Sequence, residues 1–113
     1  MSNPASSLAP AIAAYIAAAN ARDTSRVGSF FAEDANVFDE GHHRTGTQAI
    51  AQWMQDTAQR YEPRVEVLGV QRRTGKVLVH NRISGTFPGS PLELRYMFRL
   101  NEQGKIARLD ISL

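Results

Sequence analysis

Leu92-Glu93-Leu94-Arg95-Tyr96-Met97-Phe98-Arg99-Leu100 carries five large apolar side chains at every second position, with Glu93, Arg95, Met97 and Arg99 between them. Side chains of a strand point alternately to its two faces, so this spacing predicts a strand with one face in a core and one face outward. The same period extends in both directions. Downstream, Asn101-Glu102-Gln103-Gly104 reads as a tight turn, and Lys105 to Leu113 as a last strand with Ala107, Leu109, Ile111 and Leu113 on one side. Upstream, Phe87-Pro88-Gly89-Ser90-Pro91 is a loop of turn formers. Before it, Val65 to Arg73 and Lys76 to Thr86, joined at Thr74-Gly75, read as a valine-rich hairpin.

On the N-terminal side of Pro63 the apolar period becomes helical. Leu8, Ile12, Tyr15, Ile16 and Ala19 share one helical face, with Ser7 as N-cap and Pro10 in the first turn, which predicts a helix from about residue 8 to 20. Met1 to Ser6 is small and polar and is expected to fray. After a break at Asn20-Ala21-Arg22-Asp23, a second, shorter helix capped by Asp23 or Thr24 turns Val27, Phe30 and Phe31 inward. Glu33-Asp34 reads as a loop, and Asn36 to Glu40 as a short strand with Val37 and Asp39 on one face. Thr45-Gly46-Thr47-Gln48 fits a capping box for a third helix that carries Ile50, Trp53, Met54, Thr57, Ala58 and Tyr61 and stops before Pro63. Helices first and antiparallel strands last predict an α+β fold, one curved sheet with helices on its concave face, formed as a single domain over 1–113.

Composition narrows the function classes. The 113 residues hold no cysteine, which excludes disulfides, thiolate metal sites and cysteine nucleophiles. A formal charge of +2, with basic residues scattered rather than striped, predicts no nucleic-acid partner. No apolar run is long enough for a membrane span or signal peptide, so no membrane partner and a cytoplasmic location are expected.

Chemistry concentrates between residues 36 and 46, where Asp39, Glu40, His42, His43 and Arg44 fall within six consecutive positions. Asp39 ends a strand and shares its face with Val37. A carboxylate turned into an apolar pocket is desolvated and suited to act as a general base, whereas an ion pair with Arg44, His42 or His43 would make it a structural tie. The adjacent His42 and His43 read either as a second acid or base, since imidazole titrates near neutral pH, or as two exposed loop residues. Only one of two neighbouring side chains usually faces inward, and His43 is taken as the pocket residue. A metal site lacks a third ligand at suitable spacing, so neither metal nor other cofactor is expected. Trp53, Met54, Phe30, Val37, Phe87 and Phe98 read as core, or as the lining of a cavity for a small apolar or aromatic ligand. His80 and Arg82 sit in a strand with no assigned face. Glu93, Arg95, Met97 and Arg99 form the outer face of theirs, where a methionine among charges fits a homodimer interface.

With the elements in place, three segments resemble the nuclear transport factor 2-like superfamily, in its SnoaL-like polyketide cyclase and ketosteroid isomerase branch. They are Tyr15-Ile16-Ala17-Ala18-Ala19-Asn20-Ala21-Arg22-Asp23, then Phe30-Phe31-Ala32-Glu33-Asp34-Ala35-Asn36-Val37, then Arg44-Thr45-Gly46-Thr47-Gln48-Ala49-Ile50. The resemblance implies a cone-shaped barrel of cystatin-like architecture whose three helices enclose a deep pocket. It also implies that Tyr15 is an oxyanion donor and Asp39 a proton-shuttling base. Tyr96 stands where those isomerases carry a second, protonated aspartate. The implied activity is cofactor-independent isomerisation, cyclisation or dehydration of an apolar carbonyl compound. The alternative is a non-catalytic ligand-binding or dimerisation module on the same fold.

Overall fold

In the computed structural model, which describes residues 8–113, nine elements follow in the order α1 (Pro10–Ala21), α2 (Val27–Phe30), β1 (Phe31–Asp39), β2 (His42–Thr45), α3 (Thr47–Tyr61), β3 (Arg64–Arg73), β4 (Lys76–Ser84), β5 (Leu92–Leu100) and β6 (Ile106–Ser112). The strands form one sheet in the order β2-β1-β6-β5-β4-β3, with every neighbouring pair antiparallel except β1 and β6. The architecture is α+β as the period change predicts. The expected barrel is an open cone, because the sheet does not close and β2 and β3 remain its edges.

Alternation in β5 places Tyr96 and Phe98 in the core and leaves Glu93, Arg95 and Arg99 exposed. In α1, Ile12, Tyr15 and Ile16 are buried, and α3 buries Ile50, Trp53 and Met54. These side chains meet Phe30, Phe31 and Val37 from the second helix and first strand in one apolar core. Pro10 occupies the start of α1, where its missing N–H removes no helical bond. Glu62 takes a left-handed conformation after Tyr61 and ends α3 immediately before Pro63.

Four sequence expectations give way here. Glu33-Asp34 is not a loop but part of β1, at the irregularity where the pairing with β6 shifts between Phe31 and Asn36. His42–Thr45 is a strand rather than a loop, reached through a two-residue turn in which Glu40 and Gly41 both have positive φ (52° and 76°). The capping box does not form. Thr45 closes β2 opposite Asn36 and donates its hydroxyl to Asn36 Oδ1 at 2.8 Å, so Gly46 becomes the N-cap of α3 with no side-chain cap. Neither Asp23 nor Thr24 caps the second helix, whose N-cap is Arg26. Asp23 instead accepts the backbone N–H and hydroxyl of Ser25, which hold its carboxyl below the usual range. The expected Ser7 cap and the fraying of 1–6 lie outside the described residues.

One polar contact ties a helix to the sheet edge. At the end of α1, Asn20 Nδ2 donates to the carbonyl of Val65 at 3.0 Å, and Oδ1 accepts the N–H of Val65 at 2.7 Å. The side-chain amide thus completes both backbone bonds that β3 leaves open at that residue. Truncation would orphan two partly buried groups, so Asn20→Ala should destabilise by about 1–3 kcal/mol. Urea unfolding of parent and variant checks this, and a difference near zero would mean that water replaces the amide at no cost.

Candidate functional site

Between the helices and the concave face of the sheet lies a cavity of about 660 Å³, within the range that accommodates drug-sized molecules. Its deep wall is made of buried residues, among them Tyr15, Trp53, Val65, Ile83 and Tyr96, and its rim of exposed ones, among them Arg22, Glu40, Leu92 and Leu113. Most of this surface is apolar, so the few polar atoms on the deep wall are conspicuous.

Asp39 is the carboxylate among them. It closes β1 with Val37 on its own face, and the turn at Glu40-Gly41 starts immediately after it. Trp53 Nε1 donates to Asp39 Oδ2 at 3.1 Å across the gap between β1 and α3. Burial pushes the Asp39 carboxyl above its usual range. The Trp53 bond opposes the rise, the neighbouring Glu40 adds to it and Arg44 opposes it. Arg44 does not form an ion pair with this carboxylate. Its Nη1 donates to the backbone carbonyls of Asp39 and His42, so it fastens the hairpin and leaves the carboxylate facing the cavity.

Two phenols face the same space. Tyr15 reaches it from α1 and Tyr96 from β5, with ring centroids 6.5 Å apart, and the Tyr15 ring stacks on Trp53 at 6.4 Å. Burial raises the pKa of both tyrosines, and the charge of Asp39 adds to the rise in each. Both therefore remain protonated, as donors, throughout the physiological range. A base and two hydroxyl donors on one apolar cavity can take a proton from a carbon acid and stabilise the oxyanion that results.

The remaining predicted residues divide. Met54 and Phe87 line the cavity with the residues above. Phe30, Val37 and Phe98 do not. They are buried in the core, and Phe30 and Phe98 support the Tyr15 ring at 6.2 and 6.0 Å. His43 is a correction. Its place on β2 opposite Phe38 turns it outward, where it is exposed, packs on Phe38 at 4.6 Å and bonds to the Asn36 amide at 2.9 Å. His80 is exposed on the outer face and pairs with Glu93 at 2.9 Å. Among the described residues, no group of three or more His, Asp or Glu side chains is placed to hold a metal ion.

Several wall residues escaped the sequence reading. Leu92, Leu94 and Ile83 carried a usable signal, because each shares a face with Tyr96 or its cross-strand neighbours. Arg22 carried none. It reaches the rim because it takes the left-handed C-cap position of α1 (φ 55°), which arginine rarely adopts.

The sequence matches the SnoaL-like domain family over residues 12–109. The chain belongs to the SnoaL-like family. A candidate polyketide cyclase from Sinorhizobium meliloti has a structure similar to this SnoaL-like domain, at 35% identity and a TM-score of 0.91, over 96% of this chain and 98% of that one. More distant likenesses show the shared fold. One is a protein with a ketosteroid isomerase-like fold from Catenulispora acidiphila, solved with trimethylamine (20% identity, TM-score 0.79, 92% and 85% of the two chains). Another is SalBIII, an epoxide hydrolase/cyclase-like enzyme with a role in pyran ring formation in the polyether salinomycin (19% identity, TM-score 0.74, 89% and 85%). No curated protein matches the sequence. No helix among the described residues of this SnoaL-like domain is long and apolar enough to cross a membrane.

Proposed function

We propose that this SnoaL-like domain is a cofactor-independent acid–base enzyme acting on a small apolar carbonyl compound by isomerisation, cyclisation or dehydration. The observation that carries this reading is the convergence of Asp39, Tyr15 and Tyr96 on one open apolar cavity, with the carboxylate bonded by Trp53 and not neutralised by Arg44. Asp39 takes the proton next to the carbonyl and returns it. Tyr15 and Tyr96 donate to the oxygen as it gains charge, and the apolar wall keeps those hydrogen bonds out of competition with water. The S. meliloti relative, described as a candidate polyketide cyclase, supports carbonyl chemistry of this type.

The test is proton exchange. Incubated in D2O with a panel of cyclic enones and 2-tetralone, the protein should catalyse deuterium incorporation at the carbon next to the carbonyl, read by mass spectrometry. Asp39→Asn should reduce it by about 10²–10⁴-fold. Equal rates in parent and variant across the panel would remove Asp39 from the role of base.

We also propose that the enzyme is a homodimer through the outer face of the sheet. There Met97 lies opposite Leu78, both partly buried, beside the ion pairs His80–Glu93 and Arg82–Glu66. Sedimentation velocity at micromolar concentration should give the dimer mass, and Met97→Glu should yield monomer. A monomeric parent would count against this interface.

A further inference from the structure

Asn81 is the one polar or charged side chain among the described residues that is fully buried, and neither its Nδ2 nor its Oδ1 has a hydrogen-bond partner. A buried amide bears the desolvation of both groups unless something bonds it, whereas valine or leucine would fill a strand position between Val79 and Ile83 without that cost. The surroundings of Asn81 place it beside the cavity. Pairing sets Asn81 opposite Leu94 of β5 and Val67 of β3, and alternation puts it on the same face as Ile83. Ile83 and Leu94 both line the cavity. The amide therefore sits immediately behind the cavity wall.

Its position relative to Asp39 gives the chemistry a direction. In the order β1-β6-β5-β4, Asn81 lies three strands from Asp39, about 14 Å across the sheet at the usual strand spacing. One flank of the cavity thus holds the carboxylate. Behind the wall of the opposite flank sits a group that both donates and accepts.

We infer that Asn81 is a ligand-binding residue that recognises a second oxygen function on the substrate, so that the guest is a flat apolar compound oxygenated at both ends. One oxygen lies with Asp39 and the phenols. The other, a hydroxyl or carbonyl, meets the Asn81 amide once Leu94, itself only partly buried, turns aside. This inference rests on the cavity being a ligand site, as proposed above, but on no chemical step at Asp39.

Two probes that differ by one hydroxyl test it: 2-naphthol and 2,6-dihydroxynaphthalene, titrated by the fluorescence of Trp53, which lines the cavity. The parent should bind the diol more tightly by about tenfold, the worth of one well-placed hydrogen bond. Asn81→Leu should remove that preference, bind 2-naphthol as well as the parent does, and melt at or above the parent without ligand. Asn81→Val, suited to a strand, serves if the leucine variant does not fold. Equal affinity of the parent for the two probes, binding of neither, a preference that survives in the variants, or a lower melting temperature in both variants would overturn the inference. A parent that binds the two probes alike, with its deuterium exchange intact, would reject Asn81 and leave the role of Asp39 standing.

Discussion

Asp39→Asn should melt at or above the parent near neutral pH, with an advantage that shrinks as acid is added. Asparagine keeps the oxygen that accepts from Trp53 and drops the charge that burial disfavours. Because the folded protein raises the pKa of Asp39, the contribution of this group to stability is full below the unfolded carboxylate value of about 3.9 and is lost as pH rises through the higher folded value. The variant lacks that titration, so the two melting curves converge in acid and separate toward neutrality. The gain at pH 7 is up to about 1 kcal/mol, discounted for the solvent that reaches this half-buried group. Thermal melts from pH 4 to 8 read the slope. A variant that is less stable at neutral pH, against a parent that weakens as acid is added, would mean that the carboxylate is held as a structural ion, and would sink its assignment as the base.

Gly85→Ala should be strongly destabilising. A Cβ at Gly85 would lie 2.4 Å from the carbonyl oxygen of Tyr61 and 3.1 Å from the Phe87 ring. The nearest of these atoms belongs to the backbone at the end of α3, and it also accepts the Thr86 N–H at 2.7 Å. No side-chain rotation relieves such a contact. The loop after β4 has to lift from α3, losing that hydrogen bond and drawing Phe87 away from the cavity wall. The expected loss is about 2–3 kcal/mol, or a fall in Tm of about 10 °C or more. Differential scanning calorimetry checks this, and a variant melting with the parent would show that the close approach is relaxed at little cost.

Much of this arrangement was legible before the structure. The period of two in β5 and the helical period from Ile50 to Tyr61 located the sheet and the third helix, because each element buries one continuous face. Asp39 and Tyr96 were legible for the same reason, since parity with Val37 and Phe98 turns both inward. What escaped depended on conformations that the residue types do not advertise. A glutamate rarely takes a left-handed turn position, so Glu40-Gly41 did not read as a hairpin and β2 was missed, which also left His43 facing the wrong way. Asn81 is different. It stands in register with Val79 and Ile83, and parity alone would have placed it inside.

The parallel pairing of β1 with β6 has a consequence for how the site comes into being. Phe31 must find Ile106, and Val37 must find Leu109, across the whole β3-β4-β5 meander. The helices with the β1–β2 hairpin make up one stretch of chain and the meander another, and β6 is the strand that joins the two parts of the sheet. Contacts between residues so far apart in sequence are slow to form, because the loop between them has to be closed before they reward it. Asp39, at the end of β1, has Trp53 of α3 and His42 of β2 as near neighbours in sequence, but the far wall of its cavity comes from β4, β5 and β6. The apolar wall around Asp39 is therefore complete only when both parts of the sheet are joined, since Ile111 and Ser112 of β6 line the same cavity.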